Sequence, residues 1–229
     1  MDIIAVIALA LAPGIFWFWY FMWKSRLQTR LRRRVIVFFF VGMAVLAPAL
    51  LLEKPFSGNT FLLLVFAAPV LEESLKLLAV LGWARYSGPV EKPLEGMLFA
   101  LAAALGFATA ENVYTIVIFY LAPQLALGLS DPVWAFGMIW KLYLLRALLT
   151  VPGHALWSAL WGYALGVKDS EGRARGWFFM VRALVLAMVL HGLFNLMLLN
   201  FPPGAVGMLV LFPLTWWLVM RRMPGISGT

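Results

Sequence analysis

Glu72, Glu73 and Lys76 interrupt an otherwise apolar stretch, APVLEESLKLLAV at 68–80. Three further apolar stretches carry polar groups of similar kind: Glu111 and Asn112 in GFATAEN, His154 and Ser158 in VPGHALWSA, and His191 and Asn195 in HGLFN. The chain's 2 histidines are both in this set. Carboxylates and neutral imidazoles are the groups that hydrolytic chemistry needs. Two His and one Glu can hold zinc and leave a fourth position for water, whose pKa falls to about 7. A further carboxylate can then take the water's proton. A metal-free version uses the same residues: Glu73 and one histidine activate water, while a histidine and Asn195 donate to the oxyanion. Both versions suit hydrolysis of a peptide bond. A rival from another class is a proton- or ion-coupled transporter or channel, in which the Glu, His and Lys groups form a relay.

The elements that carry these residues are membrane spans. The chain is 64% hydrophobic and 12% charged, where soluble domains are about 45–50% apolar and about 25% charged. An apolar excess of that size has no soluble core to hide in, so the fold class is all-α and polytopic. Seven stretches are long enough to cross a bilayer: about 2–23, 35–52, 60–84, 94–121, 142–166, 177–199 and 204–220. Between them lie helix-ending connections such as EKPFSGN at 53–59, APQLALGLSDP at 122–132 and NFPPG at 200–204. Residues 133–141 read as an interfacial or re-entrant start to the fifth span. The first span is read as a retained helix, because Asp2 stands where a signal peptide has basic residues. The chain is expected to be one membrane-embedded domain, with a catalytic core at about 60–199.

Basic residues set the orientation. Lys24, Arg26, Arg30, Arg32, Arg33 and Arg34 fill the first connection, Arg85 and Lys92 the third, and Lys168, Arg173 and Arg175 the fifth, with Arg221 and Arg222 in the tail. The alternate connections offer Lys54 alone. The rule therefore puts the N-terminus outside and the C-terminus in the cytoplasm. Counted from the outer ends of their spans, the Glu and His residues all fall roughly 12–20 Å below the outer surface at 1.5 Å per residue. Each charged residue at a span centre costs roughly 2.5–3.5 kcal/mol. Lys76, at i+4 from Glu72 and i+3 from Glu73, offsets part of that cost. One lysine cannot neutralise two carboxylates.

Several function classes drop out. The net charge of +8 sits beside apolar runs, leaving no soluble basic surface for nucleic acid. With no cysteine there is no thiol nucleophile and no Cys-ligated metal. The H-E-x-x-H of zincin-type proteases is absent. The aspartates, Asp2, Asp131 and Asp169, lie at the end of a span or outside the spans, which removes an aspartyl mechanism. No internal repeat of the kind that builds many transporters is visible.

EESLK at 72–76, GFATAENVYT at 106–115, HALWSALWGYALG at 154–166 and HGLFN at 191–195 resemble the motifs of PrsW-type intramembrane proteases. That family sits within the wider group of CAAX-processing and bacteriocin-processing membrane proteases. The four motifs span about 60–199, in the family's order. The resemblance implies a membrane-embedded endopeptidase classed as a metalloprotease, in the inner (plasma) membrane, acting on a single-pass membrane protein. The family's best-known member makes the first cut in a membrane-anchored anti-sigma factor. The implied catalytic set is Glu72, Glu73, Glu111, His154, His191 and Asn195, with Zn2+ on His154, His191 and Glu111. CAAX-type relatives carry a histidine where this chain has Glu111 after Phe107. Cleavage is expected within or just outside the outer leaflet.

Overall fold

A computed structural model describes residues 3–25, 29–127, 132–168 and 173–223. Among them the chain is helical, with no strand. In chain order come α1 (Ile3–Lys24), α2 (Thr29–Glu53), a 3-10 turn (Lys54–Phe56), a π-turn (Leu62–Ala67) leading into α3 (Ala68–Ser87), and α4 (Pro93–Leu127). Then follow α5 (Pro132–Leu145), a second π-turn (Arg146–Thr150), α6 (Val151–Val167), α7 (Arg173–Leu199) and α8 (Ala205–Met220). Where π-turns join their neighbours, these elements make seven continuous helical runs, matching the all-α polytopic expectation.

One expectation is corrected. Residues 133–141 are not re-entrant. They are the body of α5, which continues through the π-turn into α6. Pro132 takes the first helical position, where its missing N–H is harmless, and the apolar sequence after it offers no stop. The fourth expected span, about 94–121, agrees with the apolar span Pro93–Leu121, and its helix α4 continues to Leu127.

The π-turns have a shared cause. Each ends just ahead of a proline, Pro69 in α3 and Pro152 in α6. A proline ring inside a helix clashes with the carbonyl four residues back and offers no N–H, and a widened turn absorbs that conflict. Glu72 and Glu73 follow the first within about one turn of Pro69, and His154 follows the second. Local irregularity at membrane depth is tolerated where it lines a cavity within the protein.

Ile3–Lys24, Thr29–Phe56, Pro93–Leu121 and Arg175–Leu199 are long and apolar enough to cross a membrane on length and composition alone. The run carrying α3 is burdened by its charged residues, α6 is 17 residues long once its π-turn is set aside, and Ala205–Met220 is short. Their outer faces are greasy: Trp19, Leu78, Phe178, Leu209 and Trp217 are exposed, as side chains facing lipid should be.

Helix α4 is the hub, with α1, α2 and α6 packed on it. Its segment Met97–Ala108 is almost wholly buried and rich in alanine, so neighbouring backbones come close, the usual basis of helix association in membranes. Gly106 has the carbonyl of Phe39 directly over it, and Gly42 has that of Ala103. Gly106→Val would drive its side chain into α2. We expect a loss of at least about 1–3 kcal/mol from overpacking, seen as a lowered melting temperature and poor accumulation in membranes. A wild-type melt for this variant would mean that α2 and α4 do not meet at this point.

Candidate active site

Helix α3 turns its two adjacent glutamates in different directions, as the roughly 100° step between helical neighbours requires. Glu73 is completely buried, and its carboxylate points into the packing between α3 and α6. There Oε2 accepts hydrogen bonds from Ser158 Oγ (2.6 Å) and Trp161 Nε1 (2.9 Å). Oε1 accepts from Lys76 Nζ at 2.8 Å, with His191 Nδ1 3.5 Å away. Glu72 instead lines a cavity of about 310 Å³ enclosed by α2, α3, α4, α6 and α7. Its Oε2 lies 3.5 Å from Lys76 Nζ and 3.7 Å from His154 Nδ1.

Lys76, fully buried, is the centre of the polar cluster. Besides both glutamates it donates to His154 Nδ1 at 3.1 Å and rests 4.4 Å from the centre of the Phe107 ring. An ammonium group only donates, so Nδ1 of His154 is the acceptor. The ring proton then belongs on Nε2, which faces Glu111 Oε2 at 3.2 Å. Glu111 Oε2 also meets Arg146 Nη2 at 2.9 Å. Arg146 reaches across to Asn112 Oδ1 (2.6 Å), and Asn112 Nδ2 donates to the backbone of Ala10 (2.6 Å). Thus one chain of polar contacts runs from α1 through α4 and the second π-turn to α6 and α3.

His191 stacks on Trp157, with ring centres 4.5 Å apart and planes within 21°, and stands 4.8 Å edge-on to His154. One turn on, Asn195 Nδ2 donates to Leu64 O in the first π-turn at 2.9 Å. Gly192 lets the Val65 carbonyl approach closely on the same face. Together they fasten α7 to the irregular turn that precedes Glu72.

All six residues singled out in the sequence therefore meet in one region, and Glu72, Glu111, His154, His191 and Asn195 line the cavity. Glu73 does not. The group able to share one ion also differs from the expected set: ligand atoms of Glu72, His154 and His191 lie within 4.8 Å of one another. Glu111, expected in that set, pairs with Arg146 and lies 3.2 Å from His154 Nε2. Ser158 bonds the Glu73 carboxylate. Arg146 is buried and paired with Glu111.

Glu53 escaped sequence reading because it stands at a helix end beside a turn. Its signal was register: Leu46, Leu50 and Glu53 share one face of α2, and all three line the cavity. Glu53 Oε1 and His191 Nδ1 are both buried without a hydrogen-bond partner among the described residues. Two imidazoles and a carboxylate, one ring nitrogen left unsatisfied, fit a three-ligand zinc site.

The family described as PrsW family intramembrane metalloprotease matches residues 30–218. The chain belongs to that family. The match reaches from the first turn of α2 into α8, beyond the 60–199 stretch that holds the four motifs. Among similar proteins, Protease PrsW of Bacillus subtilis (strain 168) is 28% identical over 225 residues, covering 95% of this chain and 94% of its own. Protease PrsW of Halalkalibacterium halodurans is 26% identical, covering 96% of this chain and 95% of its own. That of Shouchella clausii (strain KSM-K16) is 25% identical, covering 94% of each. No solved structure matches the chain. Membership of the PrsW family makes the chain a membrane-embedded protease and weighs against the transporter reading.

Proposed function

We propose that this protein hydrolyses a peptide bond of a single-pass, membrane-anchored protein inside the cavity between α2, α3, α4, α6 and α7. One observation carries the reading: a carboxylate and two imidazoles, Glu72, His154 and His191, converge within 4.8 Å on the wall of a cavity among apolar helices. These three residues would hold a zinc ion, which when bound supplies an activated water and polarises the scissile carbonyl. Glu111 accepts a proton at its carboxylate, and Arg146 beside it keeps that carboxylate in place. Glu73 and Lys76 are positioning residues: through Ser158, Trp161 and His154 they fix where α3 stands against α6. Asn195 positions the turn before Glu72 through Leu64.

The donor set carries a condition. Lys76 and Glu111 already engage both nitrogens of His154, so a metal on that ring competes with the protons they share with it. Purified wild-type protein should contain about one zinc per chain, and His154→Ala should contain almost none, by elemental analysis. A wild-type protein that cleaves with no bound metal would assign the chemistry to Glu72 and water instead.

The distribution of basic residues supports an extracytoplasmic N-terminus and a cytoplasmic C-terminus, and the family resemblance points to the plasma membrane. On that orientation the cavity lies nearer the outer leaflet, so the cut falls within or just outside it. The family resemblance points to an anti-sigma factor as the substrate class. Alkaline phosphatase fused after Gly58 should be active and fused to the C-terminus inactive. The reverse pattern would invert the topology and the leaflet of cleavage.

A further inference from the structure

At the opposite end of the bundle from the Glu53 turn, a second cavity of about 430 Å³ opens where α1 ends, α2 begins, α3 ends and α4 begins. Arg30, Arg34 and Lys92 line it, together with Ser25, Ser87 and the acidic pair Glu91 and Glu95. The Arg34 guanidinium is held in place: Nη2 donates to the carbonyls of Gly88 (2.5 Å) and Pro89 (3.1 Å), and its plane lies 4.6 Å from the centre of the Phe99 ring. Yet Arg34 Nε is buried with no hydrogen-bond partner among the described residues, and so is Ser87 Oγ. A buried donor left unpaired costs free energy that a bound acceptor recovers. Glu95 does not meet this need, because its Oε2 accepts from the backbone N–H of Glu91 at 3.1 Å.

The surroundings favour an anion. The ends of α1 and α3 bring partial negative charge to the cavity, and the first turns of α2 and α4, which also border it, bring partial positive charge. Three basic side chains add to it, one of them stacked and fixed so that little order is lost on binding. We propose that this cavity binds a phosphate group, that of an anionic phospholipid entering from the leaflet at this end of the bundle. Basic pockets between membrane helices on the cytoplasmic side hold such headgroups, and the exposed apolar faces of Tyr86 and Trp83 nearby give acyl chains a surface to lie on. The site is separate from the proteolytic cavity, and neither depends on the other being assigned correctly.

Native mass spectrometry tests it on wild-type protein equilibrated with equal amounts of phosphatidylglycerol and phosphatidylcholine. The wild type should retain phosphatidylglycerol preferentially. The double variant Arg30→Gln/Lys92→Gln should lose roughly fivefold of that preference per base removed. Neither side chain makes a hydrogen bond among the described residues, so the fold should survive, and a wild-type melting temperature checks this. Arg34→Gln should lose more, but it also releases the Gly88 and Pro89 carbonyls, so the rim variant decides if Arg34→Gln fails to fold. Adding inorganic phosphate separates the sources: lipid that stays bound supports the headgroup, and lipid displaced in step with phosphate supports a site for the free anion of the same chemistry. Equal retention of both lipids by wild type, or a preference that the folded double variant keeps in full, would overturn the proposal.

Discussion

Glu72→Gln should leave a folded protein that no longer cuts, whereas Glu73→Gln should leave a protein that struggles to fold. The two residues are neighbours in sequence, and their surroundings differ completely. Glu72 lines the cavity and makes one long contact to Lys76, at 3.5 Å. Its amide replacement fits the same space, keeps that contact approximately, and loses both proton affinity and metal affinity. Removing a positioned acid–base group costs about 10²–10⁴ in rate. Glu73 lies outside the cavity, where three donors from α3 and α6 surround it. Neutralising it leaves the Lys76 ammonium buried without its closest counter-charge. Breaking a buried pair from one side costs about 3–5 kcal/mol, a large share of the roughly 5–15 kcal/mol that holds a typical domain together. Thermal melts and substrate cleavage, measured on both variants, check the contrast. A stable, inactive Glu73→Gln beside an active Glu72→Gln would exchange the roles of the two glutamates.

Lys76→Met should be the most damaging single change in the polar cluster. It strips the cation from Glu73, removes the donor from His154 Nδ1 and withdraws the charge over Phe107. The expected loss is again about 3–5 kcal/mol, the cost of stranding a buried carboxylate. Methionine matches lysine's length, so a cavity is not the cause. For that reason Lys76→Met/Glu73→Gln should be more stable than the two single losses predict when added, with a coupling of about 1–3 kcal/mol. Cleavage should stay low in the double variant, because the proton on the His154 ring is then free to move away from Nε2 and Glu111. Additive losses in a double-mutant cycle would show that the 2.8 Å contact carries no stability of its own.

Much of this architecture can be read from composition. Seven apolar stretches become seven helical runs because in lipid only a helix satisfies its backbone polar groups within its own segment. The ends proved harder: 133–141 joined α5, since tryptophans near an interface and tryptophans in a helix look alike in one dimension. Depth along the spans predicted that Glu72, Glu73, Glu111, His154 and His191 would share one slab, and they do meet in one cluster. Rotation about each helix axis was not legible. Whether Glu72 or Glu73 meets the cavity depends on where α6 places Ser158 and Trp161, which is a tertiary fact. Nor does anything in the α4 sequence show that Arg146 pairs with Glu111. Glu53 was overlooked because a carboxylate at a helix end normally meets water, and only the shared face with Leu46 and Leu50 marks it.

Whether Glu72, His154 and His191 form the proteolytic centre can be measured directly, as cleavage of a tagged single-pass membrane protein by purified protein in liposomes. Wild type is compared with Glu72→Gln, His154→Ala and His191→Ala, each shown to be folded by its melt. Wild type should release the fragment, and each variant should fall by about 10²-fold or more. Cleavage at the wild-type rate by any folded variant among the three would contradict that assignment.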